Sequence, residues 1–365
     1  MKKKILYAAE VHLPGKKASS IHVMRMCEAL VHEGYHVRLL ALRSPDFQTK
    51  DEIFEYYGSP KNFDLNVVRA PGSGRLASFY LGLVALREVL HFRPFVAYTR
   101  SVVLAFMMSL AAKHVAYEVH TFVLRAARKW HVGLFRRLLK KSSLKGLVVI
   151  SEALKKMLVA EGVSQNKIWV AHDGADSRPL EEKLALKGNF SCNAGYFGSI
   201  YKGRGVEVII ELARRFPDTG FHIFGGDKNH LPEEDVPPQN VIFYGFVSPG
   251  RVYFYRNACD VLLAPYQSDV YVSQKQAFST SSYMSPLKIF EYMSARKPII
   301  VSDLPVLREV LSEETAMIVP PNDFDTWGKA LQQLCRDPAK KEKLAENAYQ
   351  QFLEHHTWQK RAASI

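Results

Sequence analysis

Two short stretches place charged residues where chemistry with an anion would need them. In SPLKIFEYM (285–293) the Ser285-Pro286 pair predicts a helix start, with serine as N-cap and proline as first helical residue. Ile289, Phe290 and Met293 then share one apolar face. Lys288 falls in the first turn, where the helix macrodipole disfavours a cation, and Glu291 lies three residues on, along the same side. One explanation is an exposed Lys288–Glu291 ion pair worth a few tenths of a kcal/mol. The other is an anion bound at the helix N-terminus. In GYFGSIYKGRG (195–205), Gly198 and Gly203 have phosphate-loop spacing, but Arg204-Gly205 follows in place of Lys-Ser/Thr, and the pattern is not GxGxxG. Glycines still let the backbone approach a ligand, and Lys202 and Arg204 add cations beside the predicted helix VEVIIELARRF. The plainer explanation is a glycine-rich turn with exposed basic residues. Two helix N-termini, each with a cation, can converge on one diphosphate, and Glu291 is then placed to accept from sugar hydroxyls.

The elements that must hold these residues alternate along the whole chain. Strand-like runs are KILYAAEV (4–11), HVRLLAL (36–42), LNVVRA (65–70), FVAYTR (95–100), VAYEVH (115–120), LVVIS (147–151) and KIWVAH (167–172). After a polar stretch at 173–191 they resume as AGYFGSI (194–200), FHIFGG (221–226), VIFYGFV (241–247), VLLAPY (261–266), PIIVSD (298–303) and AMIVPP (316–321). Helical patterns fall between most of them, such as IHVMRMCEALVHEG (21–34) ended by Gly34. Alternating β and α predicts parallel, doubly wound α/β sheets: two Rossmann-like domains. The boundaries expected are 1–175, 176–345 and a helical segment 346–365 crossing back to the first domain. Ligands in such folds sit at the carboxyl ends of strands, and the loop Gln267–Met284 leading to Lys288 is long and polar, as functional loops are.

Composition excludes several classes. Four cysteines, at 27, 192, 259 and 335, form no CxxC pair and fit buried thiols in a reducing compartment better than a disulfide framework or zinc site. The N-terminal run reads as a first strand and not a signal peptide, and the best apolar stretch, Ser101 to Ala112, is too short to span a membrane. All of the +13 net charge lies in residues 1–177. Residues 122–146 carry eight Lys/Arg and no acid, interleaved with Trp130, Leu134, Phe135, Leu138 and Leu139. That is either a helix with a solvated basic face or a surface helix touching anionic lipid. No aromatic RNA-binding signature, helix-turn-helix or zinc-finger spacing supports nucleic acid.

The order of YEVHT (117–121), VVISEALKKML (148–158), YFGSIYKGRG, ACDVLLAPY, SPLKIFEYM and PIIVSDLPVLREVL resembles the family-4 retaining glycosyltransferases of the GT-B fold, over nearly the whole length. The resemblance implies two Rossmann-like domains facing across a cleft, with the nucleotide sugar donor in the second. It implies diphosphate contacts from Arg204, with Lys202 beside it, and from Lys288 and the backbone around Ser285–Leu287, a ribose contact from Glu291, and Ser199 among the donor-binding residues. It implies that the base lies along Phe246-Val247, that the Gly15 turn approaches the donor phosphates, and that His120 sits near the transferred sugar. His120 read by itself is as well explained as a structural hydrogen-bonder.

The chain departs from the family pattern where a second glutamate is usual. Tyr283, followed by Met284, stands there, which leaves the nucleotide site intact and the donor sugar unnamed. The activity implied is hexosyl transfer from a nucleotide diphosphate sugar, with UDP preferred over GDP, to a glycan or lipid-linked acceptor in cell-surface polysaccharide, lipopolysaccharide or glycolipid synthesis. The expected location is cytoplasmic, peripheral on the inner membrane face. Rival readings are an epimerase of the same fold, a transferase for a small soluble acceptor, and a nucleotide-sugar sensor without activity. No cofactor and no metal are expected. The histidines lack HxH spacing, and Asp323-Phe324-Asp325, a DxD triplet, reads as a helix cap. Glu118 is the nearest candidate for a covalent nucleophile, and it is not assigned that role.

Overall fold

The computed structural model describes the chain except for residues 1, 46–48, 73, 127–128, 228, 230, 232–235 and 272–277. The chain divides into two compact units, one of Met1–His172 with Trp358–Ile365 and one of Asp173–Thr357. The final helical stretch is shared between them: helix Pro338–His355 stays with the second unit and helix Trp358–Ser364 packs in the first.

The first unit is built on β1 (Lys4–Leu13), β2 (His36–Arg43), β3 (Asp64–Val68), β4 (Val96–Thr99), β5 (Val115–Val119), β6 (Leu144–Val149) and β7 (Ile168–Val170). Its sheet order is β3-β2-β1-β4-β5-β6-β7, and every pairing is parallel. The second unit has β8 (Cys192–Phe197), β9 (Thr219–Phe224), β10 (Val241–Phe243), β11 (Val261–Ala264), β12 (Ile299–Ser302) and β13 (Met317–Val319), in the order β10-β9-β8-β11-β12-β13. These strands are also all parallel. Their apolar runs are near-continuous because helices cover both faces of a parallel sheet. Each predicted run overlaps one of these strands, with ends that differ by up to four residues.

Helix Val206–Arg215 shows how the sequence closes the second core. Val206, Ile209, Ile210 and Ala213 recur at helical spacing and are buried against Phe221, Val261 and Trp327. In both sheets the chain reverses its winding direction once, between β1 and β4 and between β8 and β11. Loops leaving those neighbouring strands diverge and open a crevice at their carboxyl ends. The loop after β8 is the Gly198–Gly205 stretch, and the chain after β11 leads to Lys288.

Three local expectations differ from the structure. The helix in SPLKIFEYM spans Leu287–Ser294, with Pro286 as its N-cap. Ser285 is not the cap, because its hydroxyl accepts from the Asp173 amide at 3.0 Å. Cys192 and Cys335 are joined in a disulfide between β8 and helix Phe324–Arg336, while Cys27 and Cys259 are buried thiols. Two cysteines 143 residues apart carry no local signature of pairing. Of the basic stretch 122–146, residues 127–128 lie outside the described residues. Helix Lys129–Leu139 turns Phe135 and Leu138 into the core and leaves Trp130 exposed. Asp323 caps its helix by accepting from the Thr326 amide at 3.0 Å, so the DxD triplet is a helix start. Among the described residues no helix is long and apolar enough to cross a membrane.

Candidate active site

Lys288 is buried, at 7% exposure, and its ammonium has no hydrogen-bond partner among the described residues. It is not the exposed side chain that a surface ion pair would require. Nζ stands 3.7 Å from the centroid of the Tyr196 ring and 4.9 Å from that of Tyr266. Aromatic faces offset part of the desolvation of a cation but do not replace a counter-ion. Burial first, and the Arg204 cation second, hold the ammonium well below the usual lysine range, while Glu291 acts in the opposite sense. A side chain at Gly198 would bring its Cβ within 3.1 Å of Nζ, so glycine keeps the space in front of the ammonium clear.

The loop from Gly198 to Gly205 is held on its far side by close packing. Gly203 and Gly205 both have φ of +80°, and a Cβ there would lie 1.7 Å and 1.6 Å from the carbonyl oxygens of Asp269 and Pro265. Only glycine fits the conformation and the contact together. Arg204 donates from Nε to the Tyr271 carbonyl at 3.2 Å, and its guanidinium lies 5.6 Å from the Tyr266 ring centroid. Arg204 and Lys288 therefore flank the same ring. Neither helix Val206–Arg215, behind Gly205, nor helix Leu287–Ser294, behind Pro286, has a side-chain cap. Their first-turn amides are donors suited to an anion.

Glu291 pairs with Arg256 at 2.5 Å, and not with Lys288. Arg256 is 6% exposed and had no distinguishing mark in the sequence. The remaining predicted donor residues fall around this centre in different states. The Ser199 carbonyl accepts from the Tyr196 hydroxyl at 2.6 Å. Lys202 is exposed, with its ammonium 5.9 Å from the Tyr271 ring. Phe246 is exposed and Val247 half-buried, beyond β10. Tyr283 and Met284 are buried, with both amides donating to the Thr280 carbonyl. Part of the loop before them, residues 272–277, lies outside the described residues.

In the first unit, Gly15 follows β1. Its amide donates to the Tyr57 hydroxyl at 2.7 Å, and that hydroxyl donates back to its carbonyl at 2.9 Å. His120 follows β5, and its Nε2 lies 2.7 Å from Oε1 of Glu118. Glu118 is fully buried and gathers three more groups: His22 Nε2 at 2.9 Å, Arg361 Nη2 at 2.6 Å and the Tyr7 hydroxyl at 3.3 Å. Burial alone would raise the Glu118 pKa, but Arg361, then His22 and His120, hold it well below the usual carboxylate range. A carboxylate so enclosed is unavailable as a nucleophile. His22, Glu118 and His120 are near enough to serve one cation. The guanidinium already occupies the same carboxylate oxygen, so we read an ion-pair cluster and not a metal centre. His22 and Arg361 were missed because no spacing rule links residues so far apart. The available signal was Glu118 itself, an acid within an apolar strand that demands a buried partner.

Residues 193–351 match the family of glycosyl transferases group 1, and residues 19–178 match glycosyltransferase family 4. Among curated proteins, the alpha-galactosylglucosyldiacylglycerol synthase of Streptococcus pneumoniae is 26% identical over 45% of this chain and 46% of its own length. The capsular polysaccharide biosynthesis glycosyltransferase CapM of Staphylococcus aureus is 24% identical over 55% of each chain. The matches thus span about half the length of these relatives. Among solved structures, Anabaena HepE in complex with UDP and glucose superposes with a TM-score of 0.72 at 14% identity, covering 100% of this chain and 98% of that one. Fold and matches define a glycosyltransferase of GT-B architecture. The chain belongs to the family-4 glycosyltransferases.

Proposed function

We propose that this glycosyltransferase moves a hexose from a nucleotide diphosphate sugar to a hydroxyl of a glycan or lipid-linked acceptor, with retention of anomeric configuration. The observation that carries the donor assignment is the Lys288 ammonium, buried with no hydrogen-bond partner among the described residues, beside Arg204 and two uncapped helix N-termini. A diphosphate would supply the missing charge. As the sugar–phosphate bond breaks, negative charge grows on the departing diphosphate, and preorganised cations and amides stabilise it. These residues provide the positive charge without a metal ion. Glu291, oriented by Arg256, accepts from the ribose hydroxyls. His120 in the first unit takes the sugar-facing role. UDP is preferred over GDP as the donor nucleotide, supported by the UDP complex of HepE. Synthesis of glycolipid or cell-surface polysaccharide is supported by the names of the two curated relatives. Thermal unfolding against a panel of nucleotide diphosphates and their sugars tests the donor, since a ligand that binds only the folded state raises its apparent stability. A panel without any shift rejects the assignment.

The acceptor side is proposed to work at the cytoplasmic face of an anionic membrane. Helix Arg75–Phe92 turns Leu76, Phe79, Leu83 and Leu90 outward, at 46–69% exposure, together with exposed Arg75 and Arg87. The Arg75 guanidinium lies 5.6 Å from the ring of exposed Trp130. Apolar side chains rimmed by cations suit the headgroup boundary. Flotation with vesicles of phosphatidylglycerol, against phosphatidylcholine alone, should show binding to the former that Phe79→Ser and Leu83→Ser together weaken. Equal recovery with both lipids removes the membrane from the proposal.

A further inference from the structure

The cluster around Glu118 does something that a purely structural ion pair would not. A carboxylate only accepts hydrogen bonds, so the His120 nitrogen facing it, Nε2, carries the proton. Burial first, then the Arg100 cation, against the pull of Glu118 and with a smaller effect of His22, bring the His120 pKa down to about 4. The ring is then neutral at physiological pH, and Nδ1 has a lone pair with no partner among the described residues. The side chain is 17% exposed, unlike Glu118 at 0%.

Charge balance shows what keeps it neutral. Glu118 faces His120 on its own chain segment, His22 from helix Ala18–His32, Tyr7 from β1, Tyr98 from β4 and Arg361 from the last helix. Among the described residues, Arg361 is the permanent cation paired with it. It also donates to the carbonyls of His172 at 2.9 Å and Ala171 at 3.3 Å and to the Met26 sulfur at 3.2 Å, so its position is fixed from several sides. Without that guanidinium, a buried carboxylate would take its compensating charge as a proton, and an imidazole stands 2.7 Å away.

We infer that Arg361 is a positioning residue of the transferase: through Glu118 it holds His120 as the neutral Nε2–H tautomer, leaving Nδ1 to accept from a sugar hydroxyl. A neutral acceptor selects a hydroxyl, whereas an imidazolium in its place would select a phosphate. The sugar-facing part of this inference rests on the proposed function, while the charge state of the cluster does not.

The test uses the full chain labelled with ¹⁵N at histidine, with His120→Gln to assign the signals, and no substrate. His120 is expected to be neutral and protonated at Nε2 from pH 6 to 8. Arg361→Gln is expected to convert His120 or His22 to an imidazolium or to the other tautomer near pH 6.5. In the same variant, sugar transfer should fall at least tenfold at pH 6.5 and recover in part by pH 8.5, and Arg361→Lys should restore both readouts. An Nδ1–H or cationic His120 in the unaltered protein overturns the inference, and that spectrum needs no variant to fold. So does an Arg361→Gln protein with both imidazoles unchanged. The expected spectra without any sugar transfer would instead reject the proposed function.

Discussion

Replacing Lys288 by Met should make the protein more stable and unable to bind its donor. The substitution keeps an apolar stem of similar length and removes a buried ammonium that has no hydrogen-bond partner among the described residues. Burying an ion costs several kcal/mol, and contacts with the Tyr196 and Tyr266 rings return about 0.5–2 kcal/mol each. The net gain expected is about 1–3 kcal/mol, which raises the unfolding temperature of a unit of this size by roughly 3–10 °C. The sign follows from linkage. The folded-state pKa of Lys288 is depressed, so its destabilising effect is complete below that depressed value and fades as pH rises towards the unfolded value of about 10.4. The advantage of Lys288→Met should therefore shrink at alkaline pH. Binding runs the other way. Losing one partner of a buried charge pair weakens affinity by about 2–5 kcal/mol, at least thirtyfold, so UDP should no longer raise the unfolding temperature. Scanning calorimetry of both proteins, with and without UDP, reads all of this. A variant that melts lower than the parent and is still stabilised by UDP refutes the reasoning.

Glu291→Gln separates ribose from phosphate: UDP affinity should drop about tenfold by calorimetry while pyrophosphate affinity is kept, and equal losses would place Glu291 elsewhere. The same change leaves Arg256 without its carboxylate and should lower stability by about 2–4 kcal/mol in urea. Gly205→Ala meets both a φ of +80° and the Pro265 carbonyl, and should cost about 3 kcal/mol or more together with UDP binding. A loss under about 1 kcal/mol would show that the loop moves aside easily. Cys335→Ser, or dithiothreitol, opens a link across 143 residues and should lower stability by about 2–5 kcal/mol. An unchanged midpoint would mean that the pair is not bonded in solution.

What the sequence disclosed and withheld divides along the range of the interactions. Alternation of apolar runs and helical spacing is local, and it located the strands of both sheets and the loops at their ends. The anion reading of Lys288 was reached from the macrodipole, a weak surface effect. The stronger reason, burial beside Tyr196 and Tyr266, depends on residues 92 and 22 positions away and could not be seen. Glu291 illustrates the opposite error. Its i, i+3 spacing to Lys288 is real, but the ammonium points into the fold towards aromatic rings, and Arg256 takes the carboxylate. The start of that helix was misplaced by one residue because the Ser285 hydroxyl serves the Asp173 amide, a partner 112 residues distant.

Charge accounting within each unit separates a site awaiting a ligand from one already complete. In the first unit Glu118 is matched by Arg361, with a hydrogen bond to His120 and His22 Nε2 2.9 Å away. Glu118 and Arg361 thus match each other within that cluster, which suits a role in orienting His120. In the second unit Glu291 is taken up by Arg256, and both Arg204 and Glu291 act on Lys288. Arg204, and Lys288 wherever it is protonated, are left over beside uncapped helix N-termini that add more positive potential. A nucleoside diphosphate has the complementary charge, and its arrival would restore full protonation of Lys288 by supplying the missing anion. Donor binding should therefore take up a proton at alkaline pH, visible as a binding enthalpy that changes with the ionisation enthalpy of the buffer. Binding with no proton uptake would mean that the diphosphate does not contact Lys288.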